Sequence, residues 1–348
     1  MMANMRILAI AVCALVLVVL AFPPLFTSVY AFDSPEMILK SSFVDSEGRV
    51  NVVGTVRNFA STPVQVTVGV ETDDGSTLQK QTYGKVIWPL TDSPFKFVLD
   101  DGVVNAGEPF IMDVQEAKVS NYDSMLILSY NGMAVGEEKA FVGTVKNIAP
   151  FEMYNVSVFA AVHSPDHMSQ LDTVRSNIIP VIKPGEQVEF TALPDPAIRS
   201  DVLYYSCAGL DYDNPITTIK TGDGGFVAYN LNAVAQVNNL RYENLTDSIA
   251  FGVRPYPPNG TTVNLQLPQY SQNQTITVML DGELHEDASI WGDGKTLYID
   301  FFVPQGDHQV KIQGVRNVPE FPFAMLALAA VTAGAIAAAK FKAAFKIS

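Results

Sequence analysis

Four histidines, His163, His167, His285 and His308, are the side chains best suited to transition-metal chemistry in this chain. His163 and His167 stand four residues apart with Asp166 and Met168 beside them, a donor set that suits copper or nickel. Pro165 falls between the two rings, so the spacing reads as a loop rather than one face of a helix, and a solvated loop is the alternative. Acidic groups offer a second metal chemistry. Asp73-Asp74, Asp100-Asp101, and Asp211 with Asp213 and Asn214 carry the hard oxygen donors that calcium takes, the last set being the best placed. None follows the alternating loop with a distal Glu of a helix–loop–helix calcium site, and Asp-Asp-Gly also reads as a turn. No cofactor is expected; structural calcium stays open.

Nucleophilic chemistry has little to work with. Cys13 lies in an N-terminal apolar run, which leaves Cys207 without an intrachain disulfide partner. Between Tyr205 and Ala208, Cys207 reads as a small core residue on a strand, not a nucleophile. It is followed by Ala-Gly-Leu-Asp-Tyr-Asp, without the nearby His or Met of a blue-copper site. The chain contains no G-x-S-x-G elbow, P-loop, H-E-x-x-H or C-x-x-C pair. The expectation is a non-enzymatic protein, with a hydrolase as the weakest alternative. Trp88, Trp291 and Tyr204-Tyr205 are able to stack on sugar rings, although aromatics in strands are more often core.

The elements that must carry these residues are strands. Val64, Val66, Val68 and Val70 alternate with Gln65, Thr67, Gly69 and Glu71, the period-2 pattern of a strand with one buried face. Leu297, Ile299, Phe301 and Val303 repeat it, and so do Val310 and Ile312. Asp74-Gly75, Asp281-Gly282 and Asp293-Gly294 mark turns. An internal repeat is visible: Val53-Gly-Thr-Val-Arg-Asn58 returns as Val142-Gly-Thr-Val-Lys-Asn147, each followed by a turn and a Val-rich strand. Asn105-Ala-Gly-Glu108 matches Lys183-Pro-Gly-Glu186, and Ser124–Tyr130 matches Asp201–Cys207. Three landmarks in one order predict a duplicated β-sandwich. The expected division is a signal peptide over 1–31, sandwiches over 32–132 and 133–218, a third β-rich domain over 219–317, and a terminal segment over 318–348.

The two ends predict where the chain works. Arg6 precedes an apolar run from Ile7 to Leu25, then Val29 and Ala31 at −3 and −1, the pattern of a secretory signal peptide cleaved before Phe32. An uncleaved N-terminal anchor is the alternative. Phe321 to Ala339 is uncharged and as a helix would span about 28 Å, enough for the hydrocarbon core. Lys340, Lys342 and Lys346 follow as a membrane stop and favour a cytoplasmic tail. Four of the 22 basic residues and one of the 36 acidic ones lie in these two terminal segments, so 32–317 carries 18 and 35, a formal charge of −17. Such a surface repels nucleic acid. Sequons at Asn155, Asn244, Asn259 and Asn273 predict glycosylation of an exported chain.

Pro319-Glu320-Phe321, the apolar span and the basic tail resemble the PEFG-CTERM sorting signals of thaumarchaeal surface proteins; Pro322 stands where that motif has Gly. The resemblance implies an archaeosortase-type processing enzyme and attachment at the cell surface. The Gly-x-Val-x-Asn opening is similar to FxLYD-type and related Ig-like archaeal surface domains, over roughly residues 40–210. The expectation is therefore all-β: tandem Ig-like β-sandwiches with an N-terminal signal peptide and a C-terminal transmembrane helix. The chain would lie on the extracellular side of the membrane as a single-pass protein, cytoplasmic at its C-terminus unless the tail is processed. Its role would be structural or adhesive, towards envelope proteins or glycans. A carbohydrate-, solute- or metal-binding module is the alternative.

Overall fold

The structure, a computed structural model, describes residues 34–100 and 106–316. Val29, Ala31, Pro319, Glu320, Phe321, Lys340, Lys342 and Lys346 lie outside them, as do both apolar runs. The described residues are all-β, a set of antiparallel sheets in sandwich-like layers around three separate apolar cores. The one helix among them is a 3-10 turn at Asn244–Thr246. No helix of the described residues is long and apolar enough to cross a membrane.

The first unit contains β1 (Glu36–Val44), β2 (Val50–Arg57), β3 (Val64–Glu71), β4 (Thr77–Gln81), β5 (Asp92–Val98) and β6 (Phe110–Glu116). They form sheets ordered β1-β2-β5 and β4-β3-β6. The valine alternation of β3 is what drives the layers together: Val64, Val66, Val68 and Val70 are all buried against Val52, Val56, Phe95 and Phe97. Burial of that many side chains is the main stabilising term for each unit.

The second unit contains β7 (Leu126–Tyr130), β8 (Met133–Val135), β9 (Phe141–Asn147), β10 (Met153–His163), β11 (Gln170–Arg175), β12 (Ile179–Ile182), β13 (Gln187–Ala192) and β14 (Val202–Asp213). Its sheets are β7-β9-β13 and β11-β10-β14-β8, with β12 also on β10. Because β7 pairs with β9 from Leu126–Asn147 to Tyr130–Gly143, the second unit opens before residue 126 and not at 133.

The two units repeat one design. β2 and β9 are the central strands of equivalent sheets, and Gly54 faces Phe95 as Gly143 faces Phe190. Both glycines are required by close approach. A Cβ on Gly54 would lie 2.6 Å from the Leu39 carbonyl oxygen, and one on Gly143 would lie 2.8 Å from the Phe190 ring. The asparagine closing each motif is fully buried and makes the same three hydrogen bonds. Asn58 Nδ2 donates to the carbonyls of Thr62 (2.8 Å) and Ile87 (2.9 Å), and its Oδ1 accepts from Ala60 N–H. Asn147 does the same with Phe151 (2.8 Å), Ile182 (2.9 Å) and Ala149.

The other two landmarks align differently from the sequence match. Leu90 N–H donates to the Asn58 carbonyl and Gly185 N–H to the Asn147 carbonyl, each at 2.8 Å. Both have positive φ, 60° and 76°. Trp88-Pro-Leu-Thr91, and not Asn105–Glu108, is therefore the counterpart of Lys183–Glu186. Ser124–Tyr130 opens the second unit, whereas Asp201–Cys207 lies at its closing strand.

The third unit contains β15 (Thr218–Lys220), β16 (Phe226–Ala228), β17 (Asn230–Asn232), β18 (Ala235–Glu243), β19 (Ser248–Pro255), β20 (Thr261–Pro268), β21 (Thr277–Leu280), β22 (Glu283–Leu284), β23 (Ser289–Gly292), β24 (Thr296–Val303) and β25 (His308–Gln313). Sheets β17-β20-β24-β23 and β18-β19-β25-β21-β22 enclose Phe251, Phe301, Ile249 and Ile299, and β15-β16 is a separate hairpin. The connection before β7 touches this unit through reciprocal backbone hydrogen bonds between Val119 and Ala233.

Candidate functional site

Cys207, Asp211 and Asn214 lie at the seam between the first and second units, bonded to Asp92, Gly84 and Lys85. β10 is the reason. From Val156 to His163 every residue is buried, so the strand has no solvent face. Val156, Val158, Ala160 and Val162 enter the second core, while Phe159, between them, stacks on Tyr83 of the first unit at 5.5 Å.

Beside β10, β11 brings a row of buried polar side chains against β2 and β5. Thr55 Oγ1 donates to Gln170 Oε1 (2.7 Å), and Gln170 Nε2 donates to the Gly54 carbonyl (3.2 Å). Thr173 Oγ1 donates to the Phe95 carbonyl (3.1 Å). Lys96 Nζ meets Asp172 Oδ1 at 2.7 Å, and Asp172 also accepts from the Thr173 and Asp195 amides. Buried polar groups are costly unless partnered, and these are partnered across the two units, so separating the units would strand them.

His163 ends β10 and is buried; it does not lie in a loop with His167. Its Nε2 is 2.6 Å from Ser206 Oγ, while Nδ1 is enclosed without a well-formed hydrogen bond. Burial, with His167 nearby, pushes its pKa down. A serine within reach of a histidine is the start of a nucleophile–base arrangement, but among the described residues no carboxylate hydrogen-bonds Nδ1 as the orienting acid of a triad does. His167, at φ 60°, packs on Tyr204 with ring centroids 4.0 Å apart.

Asp211 and Asp213 lie in β14, not in an acidic loop, and each is engaged. Asp211 accepts from the Gly84 amide (2.8 Å) and pairs with Arg175 (3.2 Å). Asp213 accepts from Asn155 Nδ2 (2.6 Å), and Asn214 Oδ1 accepts from Lys85 Nζ (3.1 Å). Among the described residues no group of three His, Cys, Asp or Glu side chains is placed to hold a metal ion.

Cys207 departs from its reading as a core residue. A bulge in β14 puts it at φ 51° and turns its thiol into a cleft of about 340 Å³ at the seam. Tyr83, Lys85, Trp88, Asp92 and Tyr212 also line this cleft. Sγ lies 3.3 Å from Ser206 Oγ and 3.9 Å from Asp92 Oδ2, and Asp92 is held by a two-pronged pair from Arg57 at 2.6 and 2.7 Å. Burial pushes the thiol pKa up, which keeps it protonated and unreactive. Asp123 accepts from Tyr212 Oη (2.8 Å), and burial raises both groups. The cleft is chemically a joint: its acids are engaged and its thiol is quiet.

The remaining residues are dispersed. Asn155, Asn244, Asn259 and Asn273 are all exposed. Asn155 is exposed because of a left-handed kink (φ 50°) and not because β10 alternates. Tyr205 is buried on Phe141, Trp88 packs near Tyr256, and Trp291 is half exposed on Tyr298. The Cys207 cleft was missed in the sequence because no pattern of residue types signals a bulge. No family model matches this chain, and no curated protein matches it.

Proposed function

We propose that the chain is an exported, membrane-tethered cell-surface protein with a structural and adhesive role. Its described residues make the outer head, two related Ig-like β-sandwiches and a third β-rich unit. The apolar run 7–25 directs export and the run 321–339, with Lys340, Lys342 and Lys346 behind it, tethers the head. The tail built on Pro319-Glu320-Phe321 extends the proposal to attachment of the thaumarchaeal kind by an archaeosortase-type enzyme.

The observation that carries this reading is the placement of the sequons. All four asparagines are exposed, so each can accept a glycan without disturbing a core. The seam supports a mechanical role, since partnered polar groups hold the first two units as one body. No catalysis enters the proposal: the Cys207 thiol meets the Asp92 carboxylate across the two units, and Asp123 is held by Tyr212 of the second.

Labelling intact cells with a membrane-impermeant amine reagent tests it. Exposed Lys183 and Lys220 should be modified before lysis, and Lys340, Lys342 and Lys346 only afterwards. Head lysines that stay unlabelled until lysis would overturn the proposal.

A further inference from the structure

The outward face of the sheet β17-β20-β24-β23 carries carboxamides and an exposed aromatic pair. Strand register aligns its side chains in two rows. Asn230, Gln266, Tyr298 and Trp291 are successive cross-strand neighbours, and so are Asn232, Asn264, Asp300 and Ser289. Four strands at their usual spacing make each row about 14 Å long. At the edge, Trp291 stacks on Tyr298 with centroids 3.9 Å apart and planes at 11°, and it keeps 52% of its surface in solvent.

At the other end of the first row lies a cleft of about 340 Å³, lined by Asn230, Gln266, Pro268, Lys295, Thr296 and Ile216. The Gln266 amide and the Lys295 ammonium make no hydrogen bond or ion pair within the protein among the described residues. Cleft and aromatic pair are therefore one continuous surface, concave and polar at one end and aromatic at the other.

We propose that this surface binds a neutral oligosaccharide of pyranose units. A pyranose presents apolar C–H faces and polar hydroxyl edges. The C–H face suits the negative face of an exposed aromatic ring, and the Gln266 carboxamide both donates to and accepts from paired hydroxyls, whereas Asn232 and Asn264 are held by Asn230, Ser120, Asp300 and Lys118. A few placed polar groups beside an apolar wall is the usual make-up of a small-molecule site. Charge disfavours the polyanionic alternative: Asp293 and Asp300 offset Lys295 and Lys118, whose Nζ lies 3.0 Å from Asn264 Oδ1, and the formal charge of the whole chain is −14. A protein partner fits less well, because the rows interpose amides between the few apolar groups. The inference supplies the ligand class for the adhesive reading and rests on it.

The test uses the full chain, purified in a detergent without a sugar headgroup. The chain has two tryptophans, so Trp88→Phe leaves Trp291 as the sole reporter. Titration with cellohexaose, mannohexaose and chitohexaose should give saturable quenching or a blue shift with at least one of them, and polygalacturonate should give none. By calorimetry, Trp291→Ala should weaken the binding about tenfold or abolish it, with Gln266→Ala weakening it less. If Trp291→Ala lowers the melting temperature, Gln266→Ala decides. No saturable signal, binding unchanged by both variants, or binding only of the polyanion or of a protein would overturn the inference. The assay is made on purified chain, so its failure leaves the surface location standing, and an intracellular location would leave a positive titration standing.

Discussion

Lys96 and Asp172 form an ion pair across two structural units, Nζ to Oδ1 at 2.7 Å, with side chains only 18% and 2% exposed. A pair this deep gains little over an apolar contact, because both charges lose their water. It is expensive to break from one side. Lys96→Met leaves Asp172 buried with only backbone amides as partners and should cost about 3 kcal/mol. Lys96→Met with Asp172→Leu should cost less than Lys96→Met alone. Urea unfolding followed by fluorescence measures both, and a second transition in the single variant would show the units unfolding separately.

The shared geometry of Asn58 and Asn147 gives a matched pair of substitutions. Each alanine variant strands two carbonyls and one amide in a buried site, so each should cost about 2–4 kcal/mol. Near-equal losses in denaturant midpoint are expected, since the environments are alike. A large loss at one and none at the other would mean that the repeated motif does different work in the two units.

His163 makes stability depend on pH. Burial holds its folded pKa below the ordinary value of about 6.5, so the unfolded chain binds the extra proton first. Its contribution is fully present above about pH 6.5 and is lost as the pH falls toward the folded pKa. Asp123, whose pKa is raised by burial, acts in the opposite sense from its ordinary value upward. The difference between the wild type and His163→Gln isolates the histidine: the variant should show a flatter stability curve just below pH 6.5. Parallel curves would contradict the assignment.

Cys207 should be slow to alkylate. Its thiol is kept protonated by burial and faces the Asp92 carboxylate, so iodoacetamide at neutral pH should modify it about tenfold more slowly in the folded chain than in urea. Peptide mass spectrometry reads the difference, and equal rates would contradict the closed joint.

The strands were legible where one face is buried and the other wet. Leu297 to Val303 in β24 alternates in sequence and in burial alike, and so does β3 from Val64 to Val68, beyond which Gly69 is buried too. The repeat was legible at its opening because Gly and Asn there are dictated by a close approach and by a buried hydrogen-bond set. Its later landmarks were misaligned because the geometry conserves a backbone conformation: Leu90 and Gly185 share a positive φ but not a residue type. The seam was hidden for a related reason. Gln170, Asp172 and Thr55 look like solvent-facing strand residues, and only the packing of one unit on another makes them interior. Pro165 broke the histidine pattern correctly, but the strand runs on to His163 before the turn.

The account turns on location, and the most direct measurement is mass spectrometry of both termini and all four sequon peptides of the native protein from fractionated cells. The prediction is a membrane-fraction protein that begins at Phe32 and carries glycan at one or more of Asn155, Asn244, Asn259 and Asn273. A cytosolic, unglycosylated chain that still carries residues 1–31 would contradict it.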